Sequence, residues 1–331
     1  MPVQPLIAAR FPLISPISTL EESLYSPEAA QMKVAYEAPY ASYSLPDVAI
    51  EATSISGPHG DIPVRVYRPT AASREAPGLL WMHGGAFVAG DLDMPEAHVV
   101  SAELASRGAV VVSVDYRLAT ATVRYPVPLD DVHAAWGWFA DATNDLGTDT
   151  RRLAIGGASA GANLAAAATM RVRDDSGVLP TAMLLAYPVV HFPVPALSDE
   201  LAAEMRQLPR MLRFTPGDII DLTRWYLGRL TDIPMRTMPG HGNLEGMPRT
   251  RIVLSEYDDL RGSGELFELQ LREVGVSVES MVAVGMLHGH LNLRPAAQMP
   301  EIERSLDFLA AGLAAPGELR RRESNCDGDE P

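Results

Sequence analysis

The stretch GASAG at residues 157–161 sets one serine between small residues, after the apolar run RLAIGG and before the alanine-rich pattern ANLAAA. A serine hydroxyl is a weak nucleophile until a neighbouring base takes its proton. G-x-S-x-G between a strand and a helix is an arrangement that supplies what such a serine needs, lifting Ser159 above the sheet edge on a strained turn. Gly157 and Gly161 must be small because backbone passes close on both sides. The helix that follows places partial positive charge where an oxyanion would form. A turn built merely of small residues would also explain the pentapeptide taken alone.

The company it keeps weighs against that plainer reading. His83-Gly84-Gly85-Ala86-Phe87 follows the run GLLWMH, and glycines there let peptide N–H groups face a ligand, as in a loop that completes an oxyanion hole. A nucleophilic serine also needs a base, and the base needs an orienting acid. Asp258 follows RIVLSEY, and His288 in GMLHGHLN follows the next strand-like run. Glu256 and Asp259 compete for the role of acid, and His290 for that of base. His288 and His290 could be read as a metal pair, but no third ligand group accompanies them, so no metal is expected. No organic cofactor is expected either.

These residues need elements that bring them to one rim. VAIEATSIS (48–56) and IPVRVYRP (62–69) alternate apolar and polar residues and predict an antiparallel strand pair across Gly57–Gly60. The runs at 78–83, 109–116, 152–157, 182–188 and 251–257 are short and mostly apolar, as suits strands buried on both faces. Helical patterns fall near 95–107, 129–142, 160–173 and 262–274, and VSVESMVAV (276–284) precedes a last helix near 300–313. Strands alternating with helices predict an α/β architecture, a mostly parallel eight-stranded sheet flanked by helices. Residues 190–245 break the alternation with two amphipathic helical patterns, LSDELAAEMRQ and TPGDIIDLTRWYLG, which predict a helical cap. Residues 1–45 are assigned to the same cap, 46–189 and 246–315 to the catalytic core, and 316–331 to a disordered tail.

Composition narrows the partners. With 47% hydrophobic and 21% charged residues the chain can bury a large core. A formal net charge of −15 argues against nucleic acid and anionic membranes. Lys33 is the only lysine, which we read as codon usage rather than function. The single cysteine, Cys326, rules out an internal disulfide, and the N-terminus does not resemble a signal peptide, so a cytoplasmic location is expected. No apolar stretch is long enough to span a bilayer. A homodimer is the expected assembly.

The ordered motifs resemble those of the α/β-hydrolases of the hormone-sensitive lipase family, in its bacterial esterase branch. HGGAF resembles H-G-G-G-[FW], VDYRLA (114–119) resembles V-D-Y-R-L-A-P, and YPVPLDDV (125–132) resembles F-P-A-A-L-D-D. GASAGANLA resembles G-D-S-A-G-G-N-L-A, EYDDLRGSGE (256–265) resembles E-Y-D-P-L-R-D-E-G, and MLHGHLN resembles H-G-F. The resemblance implies an α/β-hydrolase fold and hydrolysis of small esters of short to medium acyl chains. It implies Ser159 as nucleophile, Asp258 as acid and His288 as base. Peptide N–H groups of Gly84, Gly85, Ala86 and Ala160 would form the oxyanion hole, and Phe87, Phe214 and Trp225 would bind substrate. An acyltransferase, a lactone or amide hydrolase, or a non-catalytic receptor could use the same fold; the intact serine, acid and histidine argue against the receptor.

The chain departs from the pattern at several points. Ala86 stands for a glycine, and its methyl group is expected to restrict the loop and exclude esters of tertiary alcohols. Ala158 stands for an acidic residue and Thr120 for a proline. His290 stands for a phenylalanine, where packing or hydrogen bonding is its expected role, with a depressing effect on the base wherever it carries charge.

Overall fold

A computed structural model describes residues 3–70 and 75–314; the tail 316–331 with Cys326 lies outside the described residues. Eight strands form one sheet: β1 (Val48–Ile55), β2 (Ile62–Pro69), β3 (Ala76–Met82), β4 (Val110–Val114), β5 (Thr148–Ala158), β6 (Ala182–Ala186), β7 (Arg249–Tyr257) and β8 (Val278–Leu287). Their order is β1-β2-β4-β3-β5-β6-β7-β8. The pairings of β1 with β2 and of β2 with β4 are antiparallel, and all the others are parallel.

Burial follows the two sequence patterns. β4 and β6 are buried along their whole length, because helices cover both faces of the parallel region. β2 alternates, with one side to the core, while β1 at the sheet edge is mostly exposed. The last strand runs further than its apolar pattern suggests, to Leu287, which sets His288 directly beyond its end.

The described helices are α1 (Pro5–Ala8), α2 (Phe11–Ile14), α3 (Leu20–Tyr25), α4 (Pro27–Glu37), α5 (Pro95–Ser106), α6 (Val127–Asp141), α7 (Thr143–Leu146), α8 (Ala160–Asp174), α9 (Asp199–Met205), α10 (Pro216–Leu227), α11 (Arg261–Glu273) and α12 (Pro300–Ala311). Two apolar cores result, one on each face of the sheet. Leu80, Val112, Ile155, Met183 and Ile252 point into one, and Leu79, Val111, Ala154, Leu184 and Val253 into the other, as successive strand residues must.

Helices α1, α2 and α4 join the second core through Ile7, Ile14 and Tyr36, and so does Ile17 in the segment after α2. Between β6 and β7 lie α9, α10 and single 3₁₀ turns at Arg210–Leu212, Met235–Thr237 and Pro239–His241. α10 starts on a capping box, in which the Thr215 hydroxyl and the Asp218 carboxylate satisfy each other's backbone N–H, and it stops at left-handed Gly228. Its buried side includes Ile219, Leu222 and Tyr226. Asn163 of α8 ties this region to the body by donating to the carbonyls of Val189 at 2.8 Å and Thr237 at 3.0 Å.

Candidate active site

The turn from β5 to α8 is one residue long, and Ser159 occupies it with φ 53° and ψ −115°. That is a conformation non-glycine residues rarely adopt, and it persists only where the surroundings impose it. The Ser159 N–H donates to Ala186 O at 2.9 Å, which pins the turn to β6. A Cβ on Gly157 would lie 2.5 Å from the Gly161 carbonyl carbon, and one on Gly161 would run into the Met82 and His83 carbonyl oxygens. Only hydrogen fits at either position.

His288 Nε2 lies 2.9 Å from Ser159 Oγ, and His288 Nδ1 lies 2.7 Å from Asp258 Oδ2. The other oxygen of Asp258 accepts from Leu260 N at 2.8 Å, which fixes the carboxylate. With Nδ1–H given to Asp258, Nε2 carries the lone pair that faces the serine. Burial by itself pushes the His288 imidazole down, but Asp258, with help from Glu96 and Asp259, outweighs it, and the net direction is up.

The rival acids are engaged elsewhere. Glu256 accepts from Gly285 N at 2.6 Å, and Asp259 pairs with Arg213. His290 is buried between two hydroxyls, with Nδ1 2.9 Å from Ser255 Oγ and Nε2 3.0 Å from Ser305 Oγ. Ser305 Oγ gives its proton to Glu301 O, so Nε2 of His290 must be the donor and Nδ1 accepts from Ser255. Both nitrogens are thereby used. Burial, then the nearby His288, push His290 down to about 3. His290 is therefore a neutral ring at ordinary pH, and the depressing effect a charged His290 would have on the base does not arise. Among the described residues no group of three or more His, Cys, Asp or Glu side chains is placed to hold a metal.

The glycine loop after β3 supplies N–H groups, with one correction. Gly84 N donates to Glu96 Oε2 at 2.6 Å, so its hydrogen points at that carboxylate and is lost to an oxyanion hole. Among the described residues no acceptor engages the N–H of Gly85 or Ala86. Ala160 is the first residue of α8, where a helix leaves N–H groups without intrahelical partners. Gly85 at φ +104° has Ala89 O where a Cβ would sit, and Ala86 takes the left-handed φ of 56° despite its methyl group. Tyr116 braces the loop: its hydroxyl donates to His83 O at 2.8 Å and Gly84 O at 3.2 Å, and its ring stacks on His83.

Of the three aromatic residues expected to bind substrate, two gather with Ala86. Phe214 and Trp225 belong to an apolar cluster with Ala86, Val189, Ile219 and Leu260. The Phe214 ring meets His288 edge-on, with centroids 4.9 Å apart. Phe87 is placed differently. Its ring is 4% exposed and stacks on Tyr226 at 4.0 Å, so the substrate-binding assignment gives way to packing between loop and α10. A cavity of about 200 Å³ lies beside His288, walled by Ile7, Tyr36, Met211, Leu212, Phe214 and Leu293.

Glu96 belongs to none of the sequence motifs that mark the site. This carboxylate, in the first turn of α5, is buried, and besides Gly84 N it receives the Tyr187 hydroxyl at 2.5 Å and Asn292 Nδ2 at 3.1 Å. Every contact to its oxygens can donate. Burial raises its pKa, against the Tyr187, Gly84, His288 and Asn292 contacts that favour the anion. Tyr187 in turn packs edge-on against both His288 and His290. The available signal was an acidic residue on the apolar side of the helix starting PEAHVV, which a solvated face would not explain.

Comparison with known proteins finds relatives of the chain. The alpha/beta hydrolase fold pattern matches residues 79–292. The chain is 35% identical over 257 residues to Esterase LipI of Mycobacterium tuberculosis, covering 74% of this chain and 76% of that protein. It is 36% identical over 260 residues to Carboxylesterase NlhH of the same species, covering 75% and 77%. Among solved structures, a hyperthermophilic esterase from the archaeon Pyrobaculum calidifontis superposes with a TM-score of 0.79 at 29% identity, over 95% of this chain and 98% of that one.

Proposed function

Because the chain belongs to the α/β-hydrolase family, among the hormone-sensitive-lipase-like esterases, we propose that it hydrolyses carboxylic esters through Ser159, His288 and Asp258. The observation that carries this reading is the continuous chain of hydrogen bonds from Ser159 Oγ to His288 to Asp258, at 2.9 and 2.7 Å.

The reaction follows from those contacts. His288 Nε2 takes the Ser159 proton as Oγ bonds to the ester carbonyl carbon, and Asp258 stabilises the imidazolium that forms. Negative charge on the former carbonyl oxygen meets the N–H groups of Gly85, Ala86 and Ala160, held in place before the reaction begins. When the carbon–oxygen bond to the alcohol breaks, His288 returns the proton to the leaving oxygen. Water, deprotonated by the same imidazole, then cleaves the acyl-enzyme and restores Ser159.

Small esters of short to medium acyl chains are the substrates this reading favours. A cavity of about 200 Å³ with mostly apolar walls falls below the ~300–1,000 Å³ of drug-sized sites. The single cysteine supports a cytoplasmic setting. Strand β8 ends the sheet among the described residues, an edge that favours a homodimer through pairing with a second copy, read by light scattering. No described helix is long and apolar enough to cross a membrane.

The test is a panel of esters graded in acyl and alcohol size, run on the wild type and on Ser159→Ala. We expect acetate-type esters to be cleaved and the variant to lose on the order of 10⁴–10⁶ in rate with its fold retained. An organophosphate should modify Ser159 alone. Labelling at another residue, or near-normal turnover by the variant, would overturn the proposal.

A further inference from the structure

Two consecutive carboxylates leave the end of β7 in different directions. Asp258 reaches His288, while Asp259 reaches the segment between α9 and α10. Arg213 Nε donates to Asp259 Oδ2 at 2.8 Å and Arg213 Nη2 to Oδ1 at 3.1 Å, a two-pronged pair with side chains only 15% and 12% exposed. Asp259 Oδ2 also accepts the backbone N–H of Phe214 at 2.8 Å. Fork-shaped pairing of this kind fixes orientation as well as distance.

The segment 210–214 is pinned at both ends. At its start, Arg210 Nη2 donates to both oxygens of Asp218 at 2.6 and 2.7 Å, a bond that stays within the 190–245 region. At its end, the Asp259 contacts tie it to the catalytic body. Between the pins lie Met211, Leu212 and Phe214, which form the wall of the cavity facing Leu287, His288 and Gly289. The Arg210 and Thr215 bonds stay within the 190–245 region, so the Asp259 bonds are what tie Arg213 and Phe214 to the end of β7, and the apolar contacts that remain without them fix position loosely.

We propose that the Asp259–Arg213 pair is a latch that holds the Phe214 ring against His288 and thereby limits the size of the alcohol group an ester can carry. Asp259 is a positioning residue and takes no proton in the reaction. The alcohol is the relevant half because His288 must reach the leaving oxygen to protonate it, which puts that group on the Phe214 side. The proposal rests on the esterase reading given above.

Two measurements test it. The first is kcat/KM for cyclohexyl acetate relative to ethyl acetate in wild type, Arg213→Met, Phe214→Ala and the double variant. Arg213→Met should raise the ratio at least fivefold, Phe214→Ala should do the same, and the double variant should add less than twofold to Phe214→Ala. Arg213→Lys, which keeps the charge but loses the fork, should fall between wild type and Arg213→Met. An unchanged ratio in a folded Arg213→Met, or effects that simply multiply in the double variant, overturns the latch. The second measurement needs no chemistry: amide hydrogen exchange at Phe214 should quicken at least tenfold in Arg213→Met and in Asp259→Ala. Unchanged exchange overturns the latch whether or not esters are cleaved. If wild type cleaves neither ester while exchange quickens, the esterase reading fails and the clamp on Phe214 stands.

Discussion

His288 and His290 are two positions apart and carry the same side chain, yet their neighbours give them opposite character. His288 has a carboxylate on Nδ1 and its pKa is raised; His290 has two neutral hydroxyls and is pushed down to about 3. A base works only when neutral, so the acid limb of kcat/KM should lie above the free-imidazole value of about 6.5. His288→Ala should lose on the order of 10⁴ in kcat/KM, while His290→Phe should stay active with that limb unmoved. An active His288→Ala beside an inactive His290→Phe reverses the assignment.

His290 also has a stability signature. Its folded pKa lies below its unfolded one, so the unfolded chain binds more protons as pH falls from about 6.5 toward about 3, and stability drops across that window. His290→Phe should be less stable at pH 7, by about 1–3 kcal/mol for the buried Ser255 hydroxyl left without its partner. It should then lose less on acidification than wild type. Denaturant titrations at pH 7 and 4.5 read both effects. Glu96→Gln is the third residue-scale variant: it puts an amide before Gly84 N and removes a negative charge near His288. We expect a loss on the order of 10²-fold in kcat as the oxyanion loop shifts, with the acid limb moved to lower pH. A limb that stays in place means Glu96 acts on the loop alone.

At the scale of elements, β5, its one-residue turn and α8 work as a unit. Ser159 is strained because Gly157 and Gly161 let β5 and α8 pack closely against Met82 and His83 of the neighbouring strand end. Gly161→Ala must push these apart, at about 1–3 kcal/mol or more for overpacking, and it should move Ser159 Oγ away from His288. Its melting temperature and turnover should fall together. Retained activity with lowered stability would show that the turn tolerates the shift. The loop after β3 has a different support: Tyr116 just after β4 holds its carbonyls, and Glu96 on α5 holds one N–H.

At the scale of the whole molecule, the net charge of −15 and a pI near 4.9 set the long-range field. Such a field repels polyanions whatever the detail of the active site. The protein should pass through heparin and DNA columns unretained at pH 7 and low salt. Retention would point to a local basic surface that the total charge conceals.

The sequence by itself determined what local pattern can carry. Continuous apolar runs specified buried parallel strands, alternation specified β2, and the glycine spacing around Ser159 specified a tight strand–helix turn. Ser159, Asp258 and His288 each follow a strand, so the architecture that implies a shared rim also brings them within hydrogen-bonding distance. Tertiary structure alone decided the contacts that join distant segments. Glu96 and Gly84 meet because α5 folds back under the loop, which committed an N–H that the motif left open. Phe87 turned to Tyr226, 139 positions along the chain by residue number, and away from substrate. Asp259 met Arg213 of the segment between α9 and α10, and His290 found Ser255 and Ser305. Periodicity and spacing report how a segment folds on itself; which side chain lies opposite which depends on packing between segments, and a side chain's hydrogen bonds and charge state depend on that.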